Sequence, residues 1–169
     1  MKFFFLLMTA WLQVYCQAQR SSTILTDSEN DLIPEGIAVD TSTSTIYISS
    51  IAKQKLIAID KNGKHKDFIS SGQDNFLEGL GMKIDYKRKW LWVVSNKRID
   101  KWFTSQVHAF DLKSGKKQQF YFLKDTIPHL FNDLDIAKDG KIYLTDTYYS
   151  AIYLVDPEKK QLDLFLKSK

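Results

Sequence analysis

Leu130-Phe131-Asn132-Asp133-Leu134-Asp135-Ile136-Ala137-Lys138-Asp139-Gly140-Lys141-Ile142-Tyr143-Leu144-Thr145-Asp146 decides the fold, together with the segment that follows it. An apolar run through Leu134-Asp135-Ile136-Ala137 meets the turn Lys138-Asp139-Gly140, and a second run, Ile142-Tyr143-Leu144-Thr145, ends at Asp146. The polar-aromatic loop Thr147-Tyr148-Tyr149-Ser150 leads into Ile152-Tyr153-Leu154-Val155-Asp156, and a turn at Pro157 leads into Leu162-Asp163-Leu164-Phe165-Leu166. Four short runs rich in β-branched, aliphatic and aromatic residues, separated by Asp-Gly and Pro-containing turns, read as a four-stranded antiparallel meander. Such a meander is one blade of a β-propeller.

The same pattern occurs twice upstream. Ile37–Asp40, Ile46–Ile48, Leu56–Asp60 and Phe68-Ile69 form one copy; Met82–Asp85, Leu91–Val94, Val107–Asp111 and Phe120–Leu123 form another. Asp40 and Asp85 stand 45 residues apart, as do Asp111 and Asp156, whereas Asp60 and Asp111 are separated by 51. A period of 40–50 residues built from four strands is the signature of a propeller array. The extra residues of the longer step are expected to form an enlarged loop at 96–105. The reading is therefore all-β, a β-propeller of four-stranded antiparallel blades at about 32–72, 77–125 and 130–169.

Composition agrees with a globular chain: 44% hydrophobic, 26% charged, 169 residues. Closed propellers need about four to eight blades. Three blades leave two apolar faces uncovered, so missing blades or a partner chain must cover them, and the chain reads as part of a longer propeller. The net charge of +4 is carried by lysines and arginines in turns, where they protect sheet edges. No gathered basic face with stacking aromatics appears, so nucleic acid is not an expected partner.

Residues 1–18 read as a secretory signal peptide: Lys2, then an apolar run from Phe3 to Val14, then Cys16-Gln17-Ala18 as a small-x-small cleavage pattern. The run is too short and interrupted to span a membrane stably. A secreted or periplasmic protein is expected, lacking cysteine once the leader is removed. Residues 19–31 form a polar lead-in that suits the outer strand of a closing blade.

Counting five back from the ends of the first strands at Asp40, Asp85 and Ala137 gives Glu35, Leu80 and Asn132, which places these three at one structural position in three blades. Up-and-down topology puts them on one face with the ends of the second strands at Ser50, Ser95 and Asp146. Asp133, Asp146, Tyr148 and Trp102 are expected on that channel face as well. Oxygen donors without Cys or clustered His suit Ca²⁺, Mg²⁺ or Mn²⁺ better than zinc. His129, three residues before Asn132, is the candidate general base. Plainer roles fit the same residues: Glu35 as a turn carboxylate, Asn132 as a turn cap, His129 as a loop residue, Asp133 as a backbone brace.

Ile33-Pro34-Glu35-Gly36-Ile37-Ala38-Val39-Asp40 and the run Phe131–Asp146 resemble the gluconolactonase, senescence-marker-protein and luciferin-regenerating-enzyme family. The resemblance implies a six-bladed propeller, of which this chain is about the first half, with a divalent cation in its central channel and hydrolysis of a small-molecule lactone or ester. It assigns Glu35 and Asn132 to the metal and substrate site. Two departures matter. Leu130 stands where many relatives carry a substrate-binding arginine, and the family's later ligands and proton-transferring Asp come from later blades. The competing readings are a non-catalytic binding platform like NHL-type arrays and an inactive truncated remnant.

Overall fold

The computed structural model describes residues 30–100 and 102–168, with the side chain of Trp102 also outside the description. The expected leader and nearly all of the polar lead-in lie outside the described residues. The chain forms three four-stranded antiparallel sheets, each in sequence order. The first contains β1 (Pro34–Asp40), β2 (Thr45–Ser50), β3 (Lys55–Ile59) and β4 (His65–Ile69). The second contains β5 (Glu78–Asp85), β6 (Trp90–Ile99), β7 (Trp102–Asp111) and β8 (Lys117–Phe122), entered through a 3₁₀ turn at Gln73–Asn75. The third contains β9 (Phe131–Ile136), β10 (Ile142–Asp146), β11 (Ala151–Asp156) and β12 (Gln161–Lys167). These are three propeller blades, and β1, β5 and β9 lie side by side as their inner strands.

The aspartates that mark the repeat are hairpin caps. Asp40 Oδ1 accepts from the Ser42 amide at 2.9 Å, Asp60 Oδ1 from the Asn62 amide at 2.8 Å, and Asp111 Oδ1 from the Ser114 amide at 2.8 Å. Asp85 receives the Arg88 amide at 3.0 Å and Asp156 the Glu158 amide at 3.1 Å. A short side-chain acceptor at the strand end satisfies turn donors that no strand partner can reach, which is why the residue type recurs with the period.

Two seams form the core. Tyr47, Leu56, Ala58 and Ile69 of the first blade pack against Met82, Leu91, Val93 and Phe110 of the second. On its other face the second blade packs Trp92, Val94, Val107 and Tyr121 against Phe131, Leu134, Ile142, Leu144 and Tyr153 of the third. Every blade is thus hydrophobic on the face its neighbour covers. Apolar residues also stand exposed beyond the two seams: Ile37 and Val39 on the first blade, and Leu164, Phe165 and Leu166 on the third.

The expected loop at 96–105 is instead a longer hairpin. β6 and β7 stay in register from Trp90↔Asp111 to Ile99↔Trp102, joined by a two-residue connection with Asp100 at φ 53. Trp102, Phe103 and Thr104 favour strand, and a tight turn with positive φ extends a ladder rather than ending it.

His108 is buried in the first seam. Its ring stacks on Phe110 with centroids 5.4 Å apart, and Phe76 and Phe120 complete the box. Burial holds its pKa down at about 4, against a backbone contact from Nε2 to the Asp74 carbonyl at 3.4 Å that acts the other way. The folded chain keeps this ring neutral. Between pH 6.5 and about 4 the unfolded chain takes up a proton that the folded chain refuses, so stability falls as pH drops through that window and levels off below it. The loss is on the order of 3 kcal/mol. In urea unfolding measured from pH 7 to pH 4, His108→Phe is expected to flatten that part of the profile; an unchanged slope would assign it to other groups.

Candidate functional site

Each inner strand carries a β-bulge at the same place. Pro34 pairs with Ser50 and Ile37 with Ile48; Gly79 pairs with Ser95 and Met82 with Val93; Phe131 pairs with Asp146 and Leu134 with Leu144. Between those anchors lie Glu35-Gly36, Leu80-Gly81 and Asn132-Asp133. Glu35, Leu80 and Asn132 therefore occupy one register position, and the bulge turns their strands locally out of the ladder.

The bulges touch across the blades. A Cβ on Gly81 would sit 2.7 Å from the Asp133 Cα and 2.9 Å from the Asn132 carbonyl oxygen. A Cβ on Gly36 would collide with the Leu80 carbonyl. Ser49 links the first two blades at this level: its hydroxyl accepts from the Gly36 amide at 2.8 Å and donates to the Leu80 carbonyl at 2.9 Å. The absence of side chains at 36 and 81 is what allows the next strand to approach.

This approach gathers Glu35, Asn132 and Asp133 around one open cavity of about 280 Å³, with Gly36, Gly81 and Lys83 in its wall. Partial burial raises the pKa of Glu35, and the Asp133 carboxylate raises it further by repulsion. Asp133 is also the brace expected of it: Oδ1 accepts from the Leu134 amide at 2.8 Å, and its own amide donates to Thr145 Oγ1 at 3.1 Å. Lys83 pairs with Asp135 at 3.3 Å across β5 and β9.

The other expected site residues lie elsewhere. None of His129, Asp146 or Tyr148 lines this cavity. His129 is buried with both ring nitrogens engaged, Nδ1 at 2.5 Å from Asp146 Oδ2 and Nε2 at 3.1 Å from Asp125 Oδ1. Asp146 also takes the amides of Leu130 at 3.0 Å and Tyr149 at 3.1 Å. A ring clamped between two carboxylates fastens the start of β9 and has no nitrogen left for a substrate proton. Tyr148 is exposed, its ring 5.3 Å from that of Phe103. Trp102 begins β7, and its side chain is outside the description.

Two residues with a part in holding the site were not singled out from the sequence. Asn96 Nδ2 donates to the Phe131 carbonyl at 2.8 Å, and its Oδ1 accepts from the Phe131 amide at 3.1 Å. Ser105 Oγ lies 2.5 Å from Asn96 Oδ1 and 2.6 Å from the His129 carbonyl. This buried amide–hydroxyl pair on the second blade fixes the strand that presents Asn132. Its only signal in the sequence is two polar residues where an apolar ladder was extended.

Glu35 and Asp133 carboxylates with the Asn132 amide make a set of hard oxygen donors, and their mutual repulsion is what a divalent cation relieves. Among the described residues no group of three or more His, Cys, Asp and Glu is arranged to hold an ion. Two carboxylates and one amide are fewer than the six to eight oxygens that calcium takes.

No family model matches the chain. No curated protein sequence matches it either. Solved structures do. Virginiamycin B lyase from Staphylococcus aureus superposes with a TM-score of 0.65 at 14% identity over 82% of this chain and 43% of its own. A gluconolactonase from Xanthomonas campestris gives 0.58 at 15% identity over 80% and 48%. Hydrazine synthase from Kuenenia stuttgartiensis gives 0.65 at 13% over 90% and 40%. The fold is that of a partial β-propeller, similar to gluconolactonase structures among others. The chain spans less than half the length of these three neighbours.

Removing the charge at 133 should lower the pKa of Glu35 towards its ordinary value of 4.5 without reaching it, since burial remains. Carboxyl ¹³C shifts followed through a pH titration of Asp133→Asn test this. An unmoved Glu35 would mean that the two carboxyls do not face one another.

Proposed function

We propose that the chain is the first part of an extracytoplasmic propeller hydrolase of the gluconolactonase kind, with Glu35, Asn132 and Asp133 supplying part of a calcium site in the central channel. The observation that carries the reading is the shared bulge register, which gathers two carboxylates and an amide from non-adjacent blades at one mouth. The leader-like start of the sequence supports an extracytoplasmic location. A divalent cation bound there supplies a Lewis acid for the carbonyl of a lactone or ester.

The chain's own residues have narrower tasks. Glu35 and Asp133 hold charge at the channel mouth, and Asn132 offers an amide that accepts from or donates to a substrate oxygen. Asn96 and Ser105 keep Asn132 in place through the Phe131 backbone. His129 does not serve as the base, and the proton acceptor for water comes from blades beyond this chain. The apolar residues exposed on the first and third blades take those further blades. A non-catalytic platform is the second reading, favoured by the locked His129 and by Leu130.

The test is a calcium titration by calorimetry on the chain completed with its remaining blades. Glu35→Ala should weaken calcium about tenfold or more and lower lactone hydrolysis in parallel. Equal affinity in both proteins would remove Glu35 from the ligand set. Calcium binding without hydrolysis of any lactone or ester would favour the platform.

A further inference from the structure

The repeat builds the same inter-blade seam twice, and the two copies are finished differently. Between the second and third blades, Arg88 closes the seam. Its guanidinium holds Asp85 at 2.7 Å, donates to the Gly140 carbonyl at 3.2 Å and faces Glu158 at 3.8 Å. Between the first and second blades, three residues past Asp40 as Arg88 is past Asp85, stands Thr43. Its short hydroxyl reaches Asp40 at 2.8 Å and Thr45 Oγ1 at 2.9 Å, both within its own blade. Opposite it, Lys113 takes the place of Glu158, each two residues past the hairpin aspartate. The crossing is made instead by the Tyr86 hydroxyl, which donates to the Val39 carbonyl at 3.1 Å and accepts from the Thr41 amide at 3.2 Å; no guanidinium fills this seam, and the charge on its far wall is reversed.

What remains is a cleft of about 920 Å³, at the upper end of the usual range for small-molecule sites. Its floor is apolar: Tyr47, Ala58, Phe68 and Leu112, with the rings of Tyr47 and Phe68 edge to face at 4.9 Å. Lys64, Lys66, Lys89 and Lys113 stand on its rim, and among the described residues none of them forms an ion pair. The carboxylates lining the cleft are Asp40, Asp60 and Asp111; both oxygens of Asp40, and Oδ1 of Asp60 and of Asp111, accept from hairpin donors. The cleft lies at the Asp40 end of β1, whereas the Glu35 cavity lies at the opposite end.

We propose that this cleft binds an organic acid, its apolar body on Tyr47, Phe68 and Leu112 and its carboxylate among the rim lysines, with Lys113 standing where the other seam places the partner of Arg88. The site is independent of the channel mouth and of any hydrolysis there.

The probe is 2-naphthoate, with neutral 2-naphthamide as its control, titrated by calorimetry into the full chain. Saturable binding of the acid, with the amide about tenfold weaker, is expected. Lys113→Glu alone should weaken the acid by a similar factor. Thr43→Arg combined with Lys113→Glu transplants the Arg88–Glu158 pair, and should fill the cleft and abolish binding while circular dichroism stays unchanged. Lys89→Gln, on the exposed rim, gives the same test without touching the seam's packing and should weaken the acid severalfold. No saturable binding of the acid, equal binding of acid and amide, or full binding by the folded double variant would each overturn the proposal.

Discussion

At the bulges of the first two inner strands, the backbone of one blade comes so near the next that only a hydrogen atom fits between them. Gly36 meets the Leu80 carbonyl, and Gly81 meets the backbone of Asn132 and Asp133. This contact fixes how closely β1, β5 and β9 stand, and hence where Glu35 and Asn132 point. It also explains a local exception. The third blade has Asp133 where the first two have glycine, so a carboxylate is added to the cavity at the position where the others give up a side chain. The repeat keeps its bulge register and varies its side chains, which is how one geometry makes room for a site.

Most of the architecture was legible because it rests on period and turn chemistry. The runs Ile142–Thr145 and Ile152–Val155 could be read directly as strands, and the recurring aspartates could be counted before their role as hairpin caps was known. The register of Glu35, Leu80 and Asn132 followed from that counting. At 96–105, spacing alone does not distinguish an inserted loop from a lengthened ladder. Only cross-strand pairing decides it, and Ile99 opposite Trp102 is a non-local fact. His129 illustrates a different limit. Its proximity to Asn132 in sequence suggested a shared face, but the carboxylates that clamp it come from positions 125 and 146, and no local pattern reveals both. Asn96 and Ser105 were invisible for the same reason.

The electrostatics follow from burial more than from net charge. Glu35 feels Asp133 because both are drawn to one partly desolvated mouth. His108 stays neutral because three aromatic rings enclose it. Lysines scattered through the turns look alike in the sequence, yet Lys113 faces an unfilled cleft whereas Lys159 lies beside Asp156. Equivalent places in the repeat thus carry opposite charges, and each seam is completed by its own residues.

The central claim is that non-adjacent blades present Glu35, Asn132 and Asp133 to one point. Anomalous diffraction from crystals soaked in terbium, a calcium-sized ion that prefers oxygen donors, locates that point without reference to activity. The account predicts one strong peak at the channel mouth within bonding distance of Glu35 and of Asn132 or Asp133. Inner strands whose bulges fall out of register, or an ion held only by surface carboxylates away from Glu35, would contradict it.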